Sequence, residues 1–343
     1  MSFGIPVRNG VGLGLRLSTA LSSGARGLRP AMLLNFIGTD TLDSRVTFTR
    51  SGNTATRTNS SGVIELVNAN LPRFDYDPVT LAPKGLLIEE QRINLLLNSL
   101  IDGTSLSTQS VTVAAVAHTI SFYGTGTITL TGASVATVTG TGAYPNRRTL
   151  TFTPIVGLLV CTVTGSVQYA QLEAGSFVTS FIPTAGAAVT RNADVAVMSG
   201  TNFSSWYNQT EGTFVAYTSS TAASARSLTA SAGAVANQLY LQGAVATSIA
   251  FNVFTASAFV AQLGSLPASA LKKVAGAYKV NDFAASVDGG AVATDTSGAL
   301  ATYDRLNLGA NALGTGGFLN GHIRSITYYN TRLSNTTIQV LTI

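Results

Sequence analysis

The chain has 343 residues, enough for about two domains with sizeable cores. Only 10% of the residues are charged, against roughly a quarter in an average globular protein, while 45% are hydrophobic and 34 are Gly. That hydrophobic fraction excludes a disordered chain, the scarcity of charge excludes a charged helical bundle, and no apolar run approaches the roughly eighteen residues of a membrane-spanning helix.

Charge is unevenly placed. Residues 1–30 carry Arg8, Arg16, Arg26 and Arg29 and no acid, leaving 16 of the 20 basic residues against all 15 acids in the remainder. Gly4, Gly10, Gly12 and Gly14 oppose a stable helix. Arg8 and Arg16 also interrupt the apolar stretch that a secretion signal needs, and the glycines argue against a transit peptide's amphipathic helix. The expectation is an extended anchoring arm that orders on a partner, its arginines gripping acidic or carbonyl acceptors. No aromatic platform accompanies them, so specific nucleic-acid binding is not expected.

The remainder reads as all-β. Residues 31–100 form a β connector or docking region, with alternation in Val46-Thr47-Phe48-Thr49-Arg50 broken by the turn-prone Ser51-Gly52-Asn53 and Asn59-Ser60-Ser61-Gly62. Residues 101–188 hold short period-two segments, among them Thr119–Tyr123, Thr127–Thr131, Thr149–Thr153 and Cys161–Thr164, separated by Gly-Thr-Gly and Ala-Tyr-Pro-Asn turns. That spacing is the pattern of a small antiparallel sandwich. Cys161 has no possible disulfide partner within the chain and reads as a small buried hydrophobe. Residues 189–343 repeat the β character, and Phe283–Val287, Asp288-Gly289 and Ala291–Thr294 spell a hairpin. Ser334 caps a short terminal helix with Ile338 and Leu341 facing inward. An exterior built from Thr, Ser, Asn, Gly and Ala suits packing against other subunits, because few charges need desolvation.

Four stretches carry a resemblance. Pro72-Arg73-Phe74-Asp75-Tyr76-Asp77-Pro78, followed by Gly85–Leu96, resembles a segment of tailed-bacteriophage virion proteins and their prophage copies, with Ile93 where Thr is usual. Tyr169–Phe177, continuing to Thr184, resembles the closing strand of their carbohydrate-binding-module-like sandwich, with Phe181 in place of the usual Tyr. Residues 189–343, with the Asp-Gly-Gly hairpin and Gly321-His322-Ile323-Arg324, are similar to concanavalin A-like, laminin-G-type jelly rolls. The Gly4–Gly10 stretch also appears at the start of such phage proteins. The resemblance implies a virion component on the particle surface, a tail fibre or surface adhesin, rather than a particular chemistry, and the chain is read as non-enzymatic. The alternatives are a capsid or tail decoration protein without a receptor role and a secreted bacterial glycan-binding lectin or adhesin. The resemblance also implies other virion proteins as partners, a homotrimer, and a jelly roll that meets host-cell glycan.

Candidate sites were sought among the acids, histidines and aromatics. Asp75 and Asp77 flank Tyr76, which in a regular strand places both on one face about 7 Å apart, while the adjacent Glu89 and Glu90 point to opposite faces. Glycoside hydrolysis needs two carboxyls about 5 to 9.5 Å apart, but Arg73 and Arg92 stand close in sequence, and carboxylates beside arginine favour ion pairing. Arg73, Asp75, Asp77, Glu89, Glu90 and Arg92 are therefore assigned, with the arm arginines, to assembly and anchoring rather than catalysis. His118 and His322 lack ligand spacing, so no cofactor is expected; Asp288, Asp295 and Asp304 are the weak candidates for a Ca²⁺ rim. Trp206, Tyr207 and Tyr328 are the candidate glycan contacts, with Tyr123, Tyr144 and Tyr329 as further aromatics in strands or turns; strand alternation turns one ring of Tyr328-Tyr329 inward.

Overall fold

The computed structural model describes residues 28–243 and 248–343, so Arg8, Arg16 and Arg26 lie outside the described residues, while Arg29 is exposed. Two sheets pack across the main core. The first runs in the order Ala293–Asp295, Phe283–Val287, Leu271–Lys279, Glu211–Ser220, Gly321–Tyr329, Pro83–Ile88, Arg73–Tyr76, with Met32–Asn35 also paired to Gly321–Tyr329. The second runs Thr47–Thr49, Val195–Ser199, Arg305–Leu308, Arg226–Ser231, Gln238–Gln242, Ile249–Thr255, Ala258–Ser265. Alternation in each strand sends one set of side chains between the sheets, where Phe214, Leu228, Leu241, Phe251 and Ile326 are fully buried. The sheets approach so closely at Gly276 that a Cβ there would stand 2.6 Å from the Phe251 ring and 2.7 Å from Leu241.

A smaller sandwich has its own core of Ile120, Phe122, Ile128, Leu130, Leu159 and Cys161. Its four-stranded sheet is Ala136–Thr139, Thr127–Gly132, Gly157–Thr164, Gln109–Val113, and its three-stranded sheet is Arg148–Phe152, His118–Tyr123, Gln168–Ala174. Burial among these apolar side chains pushes the Cys161 thiol up to about 11, which keeps it protonated and inert. The chain enters this sandwich through Arg92–Asn94 and leaves through Val189–Arg191, and the two segments pair antiparallel. The small sandwich is thus inserted into the large one through a two-stranded neck.

This corrects the expectation of a separate connector over residues 31–100. Four of its strands, Met32–Asn35, Thr47–Thr49, Arg73–Tyr76 and Pro83–Ile88, belong to the two large sheets, and Ala55–Thr58 with Ile64–Val67 forms a flanking ribbon. The Phe74–Leu96 segment is consequently interior: Phe74, Leu86, Ile88 and Leu96 are all buried in the cores. The local expectations hold. Asp288 and Gly289 take φ of 47° and 73° in the turn of the hairpin, as that pair favours. Ser334 Oγ accepts from Thr337 N at 3.2 Å to cap the helix Asn335–Leu341, with Ile338 buried.

Two neighbours on one strand test the assignment of faces. Leu34 is 1% exposed and Leu33 is 50% exposed. In urea denaturation, Leu34→Ala is expected to cost about 2–5 kcal/mol and Leu33→Ala less than about 0.5 kcal/mol; equal losses would contradict the register.

Candidate functional site

The neck is held by a buried ionic network. Arg50 Nη1 lies 3.0 Å from Asp194 Oδ1, and Arg73 pairs with Asp194 through Nη2 and with Glu89 through Nη1 at 2.8 Å. Arg191 pairs with the same Glu89 carboxylate. Ser180 donates to Glu89 from both its N and Oγ, at 2.7 and 2.6 Å, and Glu89 N donates to Asp194 Oδ2 at 2.9 Å. Spare donors find carbonyls: Arg73 Nη1 reaches Thr56 O, Arg50 Nη2 reaches Asn68 O and Arg191 Nη2 reaches Glu90 O. Burial alone would raise the Glu89 carboxyl, but the Arg191 and Arg73 charges outweigh it and hold the group well below the usual carboxylate range.

Arg73 and Glu89 therefore cannot serve as exposed anchoring residues. Arg92 is also buried, pairing with Glu90 Oε1 at 2.5 Å and lying over the Phe177 ring at 4.7 Å. Its place against the chain depends on Gly175, where φ is +143° and a Cβ would collide with the Arg92 guanidinium. Asp75 and Asp77 do not form a pair either. The register shifts between Asp75 and Tyr76, which breaks the alternation assumed for a regular strand. Asp75 turns into the interior, while Asp77 Oδ1 accepts from Val79 N and Thr80 N to close an exposed turn.

Beside the network, a cleft of about 370 Å³ opens between the two sandwiches. The small sandwich contributes Tyr123 from the end of His118–Tyr123, Tyr144 and Arg147 from the turn before Arg148–Phe152, and the stretch Val178–Phe181. The large one contributes Asp75, Lys84, Ser219–Thr221 and Asn320–His322, and the ribbon adds Thr56–Thr58. The aromatic wall is built edge to face: Tyr123 and Tyr144 have centroids 5.1 Å apart, and Tyr169 stands 5.9 Å from Tyr123 and 5.4 Å from Phe181. Tyr144 remains half-buried, and its hydroxyl is 3.3 Å from Thr58 Oγ1.

On the opposite wall, His322 Nε2 lies 2.8 Å from Asp75 Oδ2, and Lys84 Nζ lies 3.1 Å from the same oxygen. Ser219, the direct cross-strand partner of His322, has Oγ 3.4 Å from Nδ1. Ser219, His322 and Asp75 thus follow the order of a nucleophilic triad. The serine contact is long, however, and Asp75 is shared with Lys84 and with Thr58 N at 2.7 Å. Burial pushes the His322 imidazole down more than Asp75 raises it, so it is neutral near pH 7. Burial would raise Asp75, yet its His322 and Lys84 partners hold it at about 2.

The aromatics singled out for glycan contact are corrected. Trp206, Tyr207 and Tyr328 are buried in the core of the large sandwich, where Tyr207 stacks on Phe203 at 4.4 Å and Trp206 meets Tyr328 at 5.0 Å. Trp206 Nε1 donates to Asn202 O at 2.7 Å, and the Tyr328 and Tyr278 hydroxyls are 2.8 Å apart, so the polar ends of Trp206 and Tyr328 are satisfied internally. Of the three acids proposed for Ca²⁺, Asp288 serves the neighbouring strand Leu271–Lys279 and the other two serve their own loops. Asp288 accepts from Lys273 N, Asp295 from Ser297, and Asp304 pairs with Arg305. Among the described residues, no group of three or more His, Cys, Asp or Glu stands together. Arg147, Lys84, Ser219 and His322 were not anticipated as one site; the signal available was Arg147-Arg148 directly after the Ala-Tyr-Pro-Asn turn, in a chain where charge is scarce.

No protein-family model matches the chain, and no curated protein does. Among solved structures, the CBM40 module of the Ruminococcus gnavus IT-sialidase is similar with a TM-score of 0.34 and 16% identity, over 41% of this chain and 88% of that one. The K499G mutant of the NanB sialidase from Streptococcus pneumoniae scores 0.32 at 17% identity, over 42% of this chain and 26% of that one. Domains LG4-5 of the mouse laminin alpha1 chain score 0.27 at 10% identity, over 72% of this chain and 90% of that one.

Acidification is expected to destabilise the protein in two steps. His322 binds its proton more weakly folded than unfolded, so its share of stability is complete above 6.5 and is lost as pH falls below that value. Lys84, Asp75 and Glu89 are the charged groups acting on it. Asp75 and Glu89 add a second loss below the ordinary carboxylate range; that of Asp75, about 2 kcal/mol, is complete only below about pH 2. Urea midpoints should fall from about pH 8 to about pH 5, and His322→Asn should flatten this first step and, by removing a partner of Asp75, shrink the Asp75 share of the second. A midpoint that rises on acidification would contradict the assignment.

Proposed function

We propose that this chain is a non-enzymatic structural protein of a tailed-phage particle, a trimeric fibre or surface adhesin, and that it holds host-cell glycan in the cleft between its sandwiches. The observation that carries the glycan reading is the cleft itself. A saccharide needs an apolar ring face against its C–H groups and fixed polar groups for its hydroxyls. Tyr144 and Tyr123 supply the first; Thr58, Asn320, Lys84 and Arg147 supply the second on opposing walls.

The two carboxylates in the cleft favour binding over hydrolysis. A glycosidase requires one carboxylic acid that stays protonated at working pH. Asp75 and Glu89 are both held ionised by paired cations, and neither retains a free proton to give a leaving group. The virion setting is supported by the resemblance of Pro72–Pro78, Gly85–Leu96 and Tyr169–Thr184 to phage proteins. In the folded chain those segments build the neck and the buried network, so attachment to the particle falls to the basic arm and the charge-poor exterior.

Two experiments test this reading. On an array of host-surface glycans, the full chain is expected to bind without releasing sugar, and Tyr144→Ala to weaken binding at least about tenfold while leaving the melt unchanged. Absence of binding to every glycan would remove the receptor role. Deletion of residues 1–30 is expected to leave both sandwiches folded and to abolish incorporation into particles; normal occupancy of the truncated protein would refute anchoring by the arm.

A further inference from the structure

We infer that the ligand of the interdomain cleft is an acidic saccharide whose carboxylate or sulfate is held by Arg147. The inference rests on the glycan reading above and specifies its ligand class. Arg147 donates from Nη1 to Thr179 O at 2.7 Å and from Nη2 to Ser121 Oγ at 2.8 Å. Both acceptors are neutral, and among the described residues no carboxylate pairs with this guanidinium. A guanidinium carries five N–H donors. One hydrogen on each Nη is uncommitted, and Nε is buried with no partner.

The geometry is preset. The two hydrogen bonds and the Tyr123 ring, 5.9 Å from the guanidinium carbon, fix the fork at the cleft wall. A planar fork matches a two-oxygen acceptor, which a point cation such as Lys84 does not. Tyr123 and Tyr144 lie on the same wall, so an anionic group on Arg147 places the adjoining sugar ring against an aromatic face.

The other charges around the cleft are paired. Arg57 is compensated at the rim by Glu65 at 2.7 Å and Asp40 at 3.7 Å. Lys84 is paired with Asp75, and the buried acids Glu89 and Asp194 with Arg50, Arg73 and Arg191, which leaves Arg147, among the described residues, as the cation of the cleft lining without a carboxylate partner. A low-dielectric cleft focuses the field of that unpaired cation on an incoming anion.

The test uses the full chain and immobilised oligosaccharides in matched pairs, each acidic member differing from its neutral counterpart by one carboxylate or sulfate. The expected result is at least about a tenfold preference for the acidic member, weakening as salt rises. Arg147→Gln should abolish the preference, Arg147→Lys restore part of it, and Arg148→Gln, at the exposed neighbour, leave it intact. Equal binding of both members by the unaltered protein, or a preference that survives Arg147→Gln, overturns the inference while leaving glycan binding in place. Failure to bind any member overturns both. Should Arg147→Gln not fold, the matched-pair preference of the unaltered protein and its salt dependence decide the matter.

Discussion

The structure depends on five charged side chains placed where water does not reach. Arg50, Arg73 and Arg191 surround Glu89 and Asp194 at the point where the chain passes from one sandwich into the other. Taking such groups out of water costs several kcal/mol each unless every charge meets a partner. Here each carboxylate accepts from arginines and from backbone or hydroxyl donors, and Nη groups of the arginines also reach the Thr56, Asn68 and Glu90 carbonyls, while the three Nε groups are buried without a partner. Removing any one member leaves a buried charge exposed to its own desolvation penalty. The arrangement is therefore specified as a set, and it fixes how the neck leaves the large sandwich.

The cleft follows from that fixing. An inserted domain on a two-stranded neck would be free to swing if the pairing of Arg92–Asn94 with Val189–Arg191 were its only tie. Ser180, on the small sandwich's return segment, is bonded to Glu89 of the large one, and Thr56 of the ribbon donates to Phe181 O. These ties set Tyr144 and Arg147 opposite Asp75, Lys84 and His322 before any ligand arrives. A preformed site loses less conformational freedom on binding, which favours affinity in a small polar cleft.

Much of the fold was legible in local pattern. Period-two alternation located the strands, Asp288-Gly289 located the hairpin because its backbone takes φ above zero, and Ser334 located the terminal helix through one hydrogen bond. Pairing was not legible, because it joins the ends of the chain. Met32–Asn35 pairs with the strand ending at Tyr329, and Thr47–Thr49 with Val195–Ser199, so a stretch that read as a connector is sheet. The site failed for the same reason. Asp75, Tyr144, Arg147 and His322 come from distant segments, and only the insertion brings them together. Aromatic content alone pointed to Trp206, Tyr207 and Tyr328, whose size makes them the natural filling of the larger core. The acids near Arg73 and Arg92 were expected to ion-pair, yet nothing local says with which arginine, or whether such a pair faces a partner or the interior.

The central claim is that the buried network makes one rigid body of two sandwiches with separate cores. Scanning calorimetry of the full chain tests it most directly. The account predicts a single transition whose calorimetric and van't Hoff enthalpies agree, the two cores melting together. Two resolved transitions, one for each sandwich, would show that the network does not couple them and that the cleft is not a preformed site.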